Sequence, residues 1–507
     1  MGPQLIGIVA SLMLGVFCMA LDNTILAVAI PKITDDFHAL DDVGWYASAY
    51  LLTGCSFQLL FGKLYSLLNV RWVFLTALFI FEVGSLVCGV APTSNALIIG
   101  RAVAGLGSAG IFSGALMCIA SVVEVPRRPA FFGLIGGVYG VASVAGPLMG
   151  GAFTDQLTWR WCFYINLPLG AVTAVGVLVM LRPKAKVGAE RVPFLVLIKS
   201  LDPIGTLIFV PAIVCLLIAL QWGGVTYPWS NGRIIALFVV FGVTLIAFCY
   251  IQTRLGSDAT VPVRIAKQRT IVSASLFGLC IGGSFFINIY FIPIWFQAIL
   301  DKTAVTAGVD SLPLVMAEIV AIVASGALVT NFGHYAPFFI ASAVVSSVGA
   351  GLITTFSVDT SQAAWVGYTF LYGFGIGLGF QQGGVAAQAV LPAMDVSVGT
   401  AFVLFIQILG GAVFVSVAQN LFANRLIENL VALNIPGLNP ELITQAGATG
   451  LRMLVPPEVL PQVLVAYNDA IGKAFQIGMI LSCLSIIGAV GVEWRSVKGK
   501  QITAAAA

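Results

Sequence analysis

Residues 5–30 read LIGIVASLMLGVFCMALDNTILAVAI, an apolar run interrupted by one carboxylate, Asp22. A helix rises about 1.5 Å per residue and bilayer hydrocarbon is about 30 Å thick, so this run is long enough to cross a membrane. It is too long, and too interrupted by Gly and Ala, to read as a cleaved signal, and further spans follow at once. Outward from it the same signature recurs at 43–61, 72–90, 95–120, 130–152, 161–181, 202–220, 233–252, 271–297, 308–329, 336–355, 363–387, 399–420 and 473–491. These fourteen spans place both termini on one side. Composition agrees: the 507 residues are 59% hydrophobic and 9% charged, with a mean hydropathy of +1.02. Soluble domains carry roughly 25% charge. A soluble enzyme, a disordered tail protein and a secreted disulfide scaffold are excluded. Outer-membrane strands alternate with period two over about ten residues, unlike these runs. The fold class is an all-α polytopic membrane protein.

The basic residues set the orientation. Lys63, Arg71, Arg127 and Arg128 share one side with Arg182, Lys184, Lys186, Arg191 and Lys199 of the segment 182–201. Arg254, Arg264, Lys267, Arg269, Arg495, Lys498 and Lys500 join them, so that side is cytoplasmic. Lys32, Arg160, Arg233, Lys302, Arg425, Arg452 and Lys473 fall outside, with the acidic Asp35, Asp36, Asp41 and Asp42. Juxtamembrane positive charge accounts for orientation and contact with anionic lipid, and carries no nucleic-acid signature. The outer segment 421–472 is expected to form an ordered cap of short amphipathic helices, broken at Pro436, Pro440, Pro456, Pro457 and Pro461. A disordered loop is the alternative. Nine Cys lie in or at the ends of the spans without CxxC spacing, so neither a structural metal nor a loop disulfide is indicated. No GxxxxGK[ST] stretch occurs, leaving no visible site for nucleotide hydrolysis, and no cofactor is expected.

Ionisable residues inside spans are costly and therefore point to function. Four stand out: Asp22, Glu82, Arg101 and Glu318. At helical rise, Asp22 lies roughly 12 Å and Arg101 roughly 9 Å below the outer surface, so the two can meet as an ion pair or through water. Separating or hydrating such a pair would change the carboxylate's hold on a proton. A static pair that only fixes helix packing is the alternative. Glu82 and Glu318 sit near the midplane, where either can carry a proton or bind substrate. For Glu82 the alternative is a packing residue. Gly146, Pro147, Gly150 and Gly151 combine close helix approach with a missing backbone donor, the makings of a hinge, although tight packing alone accounts for most glycines of this chain. Gln58, Asn288, Gln297, Gln381 and Gln407 add uncharged polarity within spans, and Tyr290, Trp295 and Tyr368 are candidate aromatic walls of a cavity. Many of the aromatic residues must instead face lipid.

These motifs resemble the major facilitator superfamily, and within it the fourteen-helix drug:proton antiporter branch of filamentous fungi, over nearly the whole chain. Leu21-Asp22-Asn23-Thr24-Ile25 through Pro31 resembles the branch's first-helix motif, and the resemblance assigns proton coupling to Asp22. Leu97, Arg101, Gly105 and Gly107 resemble the fourth-helix motif, whose Arg is linked to proton transfer; Ala104 replaces its usual Gln. Gly146-Pro147 with Gly150-Gly151 resembles the fifth-helix antiporter motif, with Ala142 for its upstream Gly. Trp159-Arg160-Trp161 through Phe163-Tyr164-Ile165-Asn166-Leu167-Pro168 matches another stretch of the branch. Gly62-Lys63-Leu64-Tyr65-Ser66 aligns with the cytoplasmic gating motif, but Ser66 stands for its Asp and Asn69 for its Gly, leaving Lys63 and Arg71 as its basic character.

The resemblance implies two six-helix bundles, 1–181 and 271–491, joined by 182–270, a basic linker with two additional peripheral helices. Residues 492–507 form a cytoplasmic tail. It further implies a proton-coupled efflux pump for small hydrophobic or amphipathic compounds, such as secondary metabolites or drugs. Its place would be the fungal plasma membrane or a vacuolar membrane, with substrate, protons and lipid as partners of a monomer. A siderophore symporter is the competing transporter; Pro147 and the presence of only two His, at 38 and 334, weigh against it. A passive facilitator is the third reading, and a receptor or structural protein on a transporter-like scaffold is disfavoured by the embedded charges.

Overall fold

The structure, a computed structural model, describes residues 2–39, 42–182, 200–224, 227–435, 439–440, 442–444, 451–452 and 454–498. Asp41, Lys184, Lys186, Arg191, Lys199, Pro436 and Lys500 lie outside the described residues. The chain begins with α1 (Pro3–Phe37), α2 (Val43–Leu67), α3 (Val70–Val90), α4 (Ser94–Val122), α5 (Arg128–Gln156) and α6 (Asn166–Met180). A pair, α7 (Pro203–Trp222) and α8 (Gly232–Leu255), follows. The remainder comprises α9 (Arg269–Ala298), α10 (Leu312–Phe332), α11 (Ala336–Ile353), α12 (Gln362–Gly379), α13 (Gln382–Val390), α14 (Val396–Ala432) and α15 (Leu460–Gly491). Among the described residues there is no β-strand, only two isolated bridges.

Thirteen helical stretches among the described residues are long and apolar enough to cross a membrane. The fourteenth span expected from the sequence is α2, whose 25 residues suffice in length but include Trp45, Tyr46, Tyr50, Thr53, Ser56 and Gln58. That dilution has a physical reason: α2 packs against α4 and α14 inside the protein, so lipid does not dictate its composition.

In one bundle α1 packs on α5 and α6, and α4 on α2 and α3; in the other α9 packs on α14 and α15, and α12 on α10 and α11. The bundles meet along two seams, α2 against α14 and α5 against α10. Helix α7 lies over the first seam, where the Phe209 ring packs tilted against Phe248 and edge-on against Phe405 at centroid distances of 4.8 and 5.4 Å. Helix α8 packs on α7 and faces outward, with Ile246 and Val243 exposed.

Two expectations change. The outer segment 421–472 is not mainly a set of short helices: α14 continues to Ala432 and α15 starts at Leu460. Beyond the hydrocarbon these extensions hold each other through Arg425 Nε to Asp469 at 3.2 Å and Asn429 Nδ2 donating to the Ala466 carbonyl at 3.1 Å. Pro461 falls in the first turn of α15, where no backbone donor is needed. The twelfth span is broken at Phe380 and Gln381 into α12 and α13, in a stretch whose glycines weaken the helix.

Close helix approach depends on absent side chains. A Cβ at Gly107 of α4 would lie 2.6 Å from the Ala77 carbonyl oxygen and still closer to the Phe81 amide nitrogen of α3, both backbone atoms that cannot rotate away. A Cβ at Gly242 of α8 would meet nothing within 4 Å. Gly107→Ala is therefore expected to destabilise the protein by about 1–3 kcal/mol through overpacking. Gly242→Ala is expected to be neutral or to stabilise by about 0.5–1 kcal/mol through helix propensity. Thermal unfolding of both variants in detergent checks the contrast.

Candidate functional site

Asp22 and Arg101 form an ion pair with 0% exposure on either side chain. Taking both charges out of water is tolerated only where their remaining polar atoms are matched. Most are. Arg101 Nε donates to the Tyr46 carbonyl at 2.8 Å, and its guanidinium carbon sits 4.4 Å from the centre of the Tyr50 ring. Asn166 Nδ2 lies 3.1 Å from Asp22 Oδ1 and 3.2 Å from Ser85 Oγ. Arg101 Nη2 and Asn166 Oδ1 have no hydrogen-bond partner. One guanidinium thus ties α1, α2 and α4, while Asn166 adds α6 and α3.

Beside this cluster lies a cavity of about 130 Å³ between the bundles. Tyr50, Phe112 and Tyr139 line it from one bundle and Phe285, Phe286 and Phe380 from the other. Gln58, Gln381 and Gln407 contribute amides, and Asn23 Nδ2 donates to Tyr139 Oη at 3.3 Å. Glu318 of α10 supplies the single carboxylate of the lining; among the described residues it has no hydrogen bond. Its backbone is fixed by α12, because Gly377 lets that helix pack directly on the Glu318 main chain.

The other candidates sit elsewhere. Glu82 lies at the α3–α6 seam over Gly170, one turn from Ser85, with both carboxylate oxygens unpartnered. Asn288 is buried against α15 near Gly478 and donates to the Ser284 carbonyl at 3.0 Å. Ser284 Oγ in turn lies 2.8 Å from both Tyr372 Oη and Ser482 Oγ, so the second bundle has a neutral polar centre where the first has an ion pair. Trp295 Nε1 donates to Asn468 Oδ1 at 2.7 Å, and its ring packs on Phe356, which also stacks with Tyr368. Gln297 Nε2 donates to the Pro293 carbonyl, and Tyr290 is 44% exposed. None of Glu82, Asn288, Tyr290, Trp295, Gln297 or Tyr368 lines the cavity described above.

Gly146 and Gly150 of α5 face Thr24 and Ile25 of α1: a Cβ at Gly150 would lie 2.9 Å from the Ile25 carbonyl. Thr24 Oγ1 is 3.1 Å from the Ala142 carbonyl, one turn before Pro147, and Gly151 lies more loosely against Val28. Helix α5 runs through Pro147 without a break. At the end of the bundles where α2 terminates and α5 begins, Lys63 is buried and donates to the carbonyls of Ser257, Asp258 and Ala259 at 3.4, 3.2 and 2.8 Å. That turn is held from behind by Asp202, which accepts from Gln252 Nε2 at 2.6 Å and from the Thr260 amide and hydroxyl at 3.1 and 2.9 Å. Arg71 stays within its own bundle, donating to the Leu181 carbonyl at 3.4 Å. Arg128 bridges the bundles through Gln388 Oε1 at 3.1 Å, and the Ala130 amide donates to Thr330 Oγ1 at the same distance.

Tyr46, Tyr50 and Ser85 are functional neighbours that the sequence does not mark, and Asn166 stands in a motif of the resemblance that assigns it no role. Asn166 carried the best signal, an amide just inside an apolar run.

Residues 12–415 match the family model described as Major Facilitator Superfamily. The chain is 60% identical over 497 residues to the efflux pump aflT of Aspergillus parasiticus, covering 98% of this chain and 97% of that one. To the MFS-type efflux pump MFS1 of Arthroderma benhamiae it is 56% identical over 507 residues, covering 100% of this chain and 94% of the other. Among solved structures, the human organic anion transporter MFSD10 (TETRAN) aligns with a TM-score of 0.61 at 14% identity, covering 95% of this chain and 100% of that one. At that identity the likeness establishes the fold alone.

The pairing energetics are testable. Arg101→Met strands the Asp22 carboxylate in the protein interior and is expected to reduce stability by about 3–5 kcal/mol. Adding Asp22→Asn removes the stranded charge and is expected to restore at least half of that loss. Thermal unfolding of the single and double variants supplies the comparison.

Proposed function

The chain belongs to the major facilitator superfamily, and from that premise we propose that it is a proton-coupled efflux pump for small hydrophobic or amphipathic compounds, such as fungal secondary metabolites or drugs. It is a multi-pass membrane protein and a secondary transporter, not an enzyme. The observation that carries the proposal is a fully buried carboxylate–guanidinium pair beside a cavity lined by aromatic rings and one carboxylate without a hydrogen bond, with Tyr50 between the two. The efflux-pump names of its relatives at 60% and 56% identity support the direction of transport.

The chemistry follows from charge and burial. Asp22 binds a proton arriving from outside, which cancels its attraction to Arg101 and loosens the tie among α1, α2 and α4. Substrate entering from the inner side occupies the aromatic cavity, where Glu318 offers a partner to a cationic or hydrogen-bond-donating group. Each ligand shifts the equilibrium only by its difference in affinity for the two states, so transport requires that proton and substrate favour opposite arrangements. The packing of Gly146, Pro147, Gly150 and Gly151 on α1 provides the hinge. Glu82, outside the cavity but one turn from Ser85, is placed to relay protons towards Asn166 and Asp22.

Lys63, in its three-carbonyl socket, and the Arg128–Gln388 contact latch the cytoplasmic side, while Arg71 steadies the end of α6. Both termini are placed in the cytoplasm in this reading, which the distribution of basic residues supports. The division is two bundles, 1–181 and 271–491, joined by 182–270, and the pump works as a monomer in the plasma membrane or a vacuolar membrane.

In proteoliposomes with an imposed proton gradient, the wild-type protein is expected to accumulate hydrophobic dyes against their gradient. Asp22→Asn is expected to lose that accumulation while retaining downhill movement. Equal gradient-driven accumulation by Asp22→Asn would move coupling to Glu82 or Glu318, and downhill movement alone in the wild type would leave a facilitator. Lys63→Met is expected to raise several-fold the rate at which the cavity thiol Cys55 reacts with a maleimide added from the cytoplasmic side. A Cys55→Ser control separates that signal from other cysteines.

A further inference from the structure

Tyr50 stands between the ion pair and the cavity. Its ring lines the cavity and lies under the Arg101 guanidinium at 4.4 Å, yet the residue is only 3% exposed. Its hydroxyl donates to the Met19 carbonyl at 3.2 Å, three residues before Asp22 on α1. Its backbone has no freedom to follow: Gly105 of α4 packs flat on the Tyr50 carbonyl, and Thr53 Oγ1 donates to the Ala102 carbonyl at 2.8 Å. Any response of Tyr50 to the cavity must therefore come from its side chain and not from its main chain. Both charges of the pair have no exposure, and Tyr50, with Met19 and Asn23 of α1, stands between them and the cavity.

We infer that Tyr50 is the positioning residue that couples cavity occupancy to the proton site. With the ring in place, the cation–π contact holds Arg101 against Asp22 and the ring excludes cavity water. A hydrophobic ligand lodged in the cavity displaces the ring, water reaches the pair, and Asp22 exchanges its proton. The inference rests on the proposed antiport and adds the element that keeps protons from crossing unaccompanied. The ionisable groups within electrostatic reach of Asp22 are Arg101 on α4, Tyr50 on α2, Glu82 and Cys88 on α3, Cys162 just before α6, and Cys18 on α1 itself. Of these, Tyr50 is the one that lines the cavity.

The test uses the full chain in liposomes containing a pH-sensitive dye, with rhodamine 6G as transport probe. Without rhodamine, Tyr50→Ala is expected to leak protons about thirtyfold faster than wild type, the size of effect a desolvated cation–π contact carries. Tyr50→Phe, which keeps the ring, is expected to stay tight. Tyr50→Ala combined with Asp22→Asn is expected to be tight again, because the leak passes through Asp22. Tyr50→Leu serves if the alanine variant fails to fold. A Tyr50→Ala or Tyr50→Leu protein as tight as wild type, or a leak that survives Asp22→Asn, overturns the inference while leaving antiport intact. Failure of the antiport reading has a different signature: rhodamine moves no protons in the wild-type protein.

Discussion

Everything in the first bundle is arranged around keeping two opposite charges out of water. An unpaired carboxylate or guanidinium at the depth of Asp22 and Arg101 would be strongly unfavourable, and the pair is tolerable only with its remaining polar atoms matched. Those matches draw in Tyr46 and Tyr50 of α2, Asn166 of α6 and, through it, Ser85 of α3. A change in the charge of Asp22 is therefore felt by α1, α2, α3, α4 and α6 together. The second bundle has a neutral network of Ser284, Tyr372 and Ser482 with Asn288 alongside, which has no comparable reason to rearrange when a proton arrives.

Bringing such groups into contact requires helices closer than ordinary side chains allow. The glycines of α4 let it lie against α2 and α3, those of α12 let it lie against α10 and α11, and Gly146 and Gly150 bring α5 onto α1 beside Asp22. Small residues also line the seam between bundles, where Gly133, Gly136 and Gly140 of α5 face Ile319 and Ile322 of α10. A seam built this way is tight when closed but lacks interlocking side chains, which suits repeated opening in the proposed cycle. Helix α7 covers the other seam with Phe209 and supports, through Asp202, the turn that receives Lys63.

The spans were largely legible because hydrocarbon thickness imposes a length that composition reveals, and the matching depths of Asp22 and Arg101 made their meeting legible too. The cavity was not. In a helix apolar on every side, periodicity does not separate a lipid face from a cavity face, so Trp295 and Tyr368 looked as suitable as Tyr139 or Phe285. Asn166 was overlooked as a partner because a neutral amide is far less costly to embed than a charge and so stands out less. The extensions of α14 and α15 past the membrane escaped because a hydropathy criterion stops at the hydrocarbon edge, whereas Arg425, Asn429 and Asp469 continue the helices in water.

The central claim is that occupancy of the cavity changes the protonation of Asp22. Infrared difference spectroscopy of the reconstituted protein, with and without a transported dye, reads this directly through the carbonyl stretch of a protonated carboxyl group. The coupling mechanism predicts a dye-induced change in that band in the wild type that is missing from Asp22→Asn and retained in Glu318→Gln. A spectrum unchanged by dye, or a band that persists without Asp22, would contradict it.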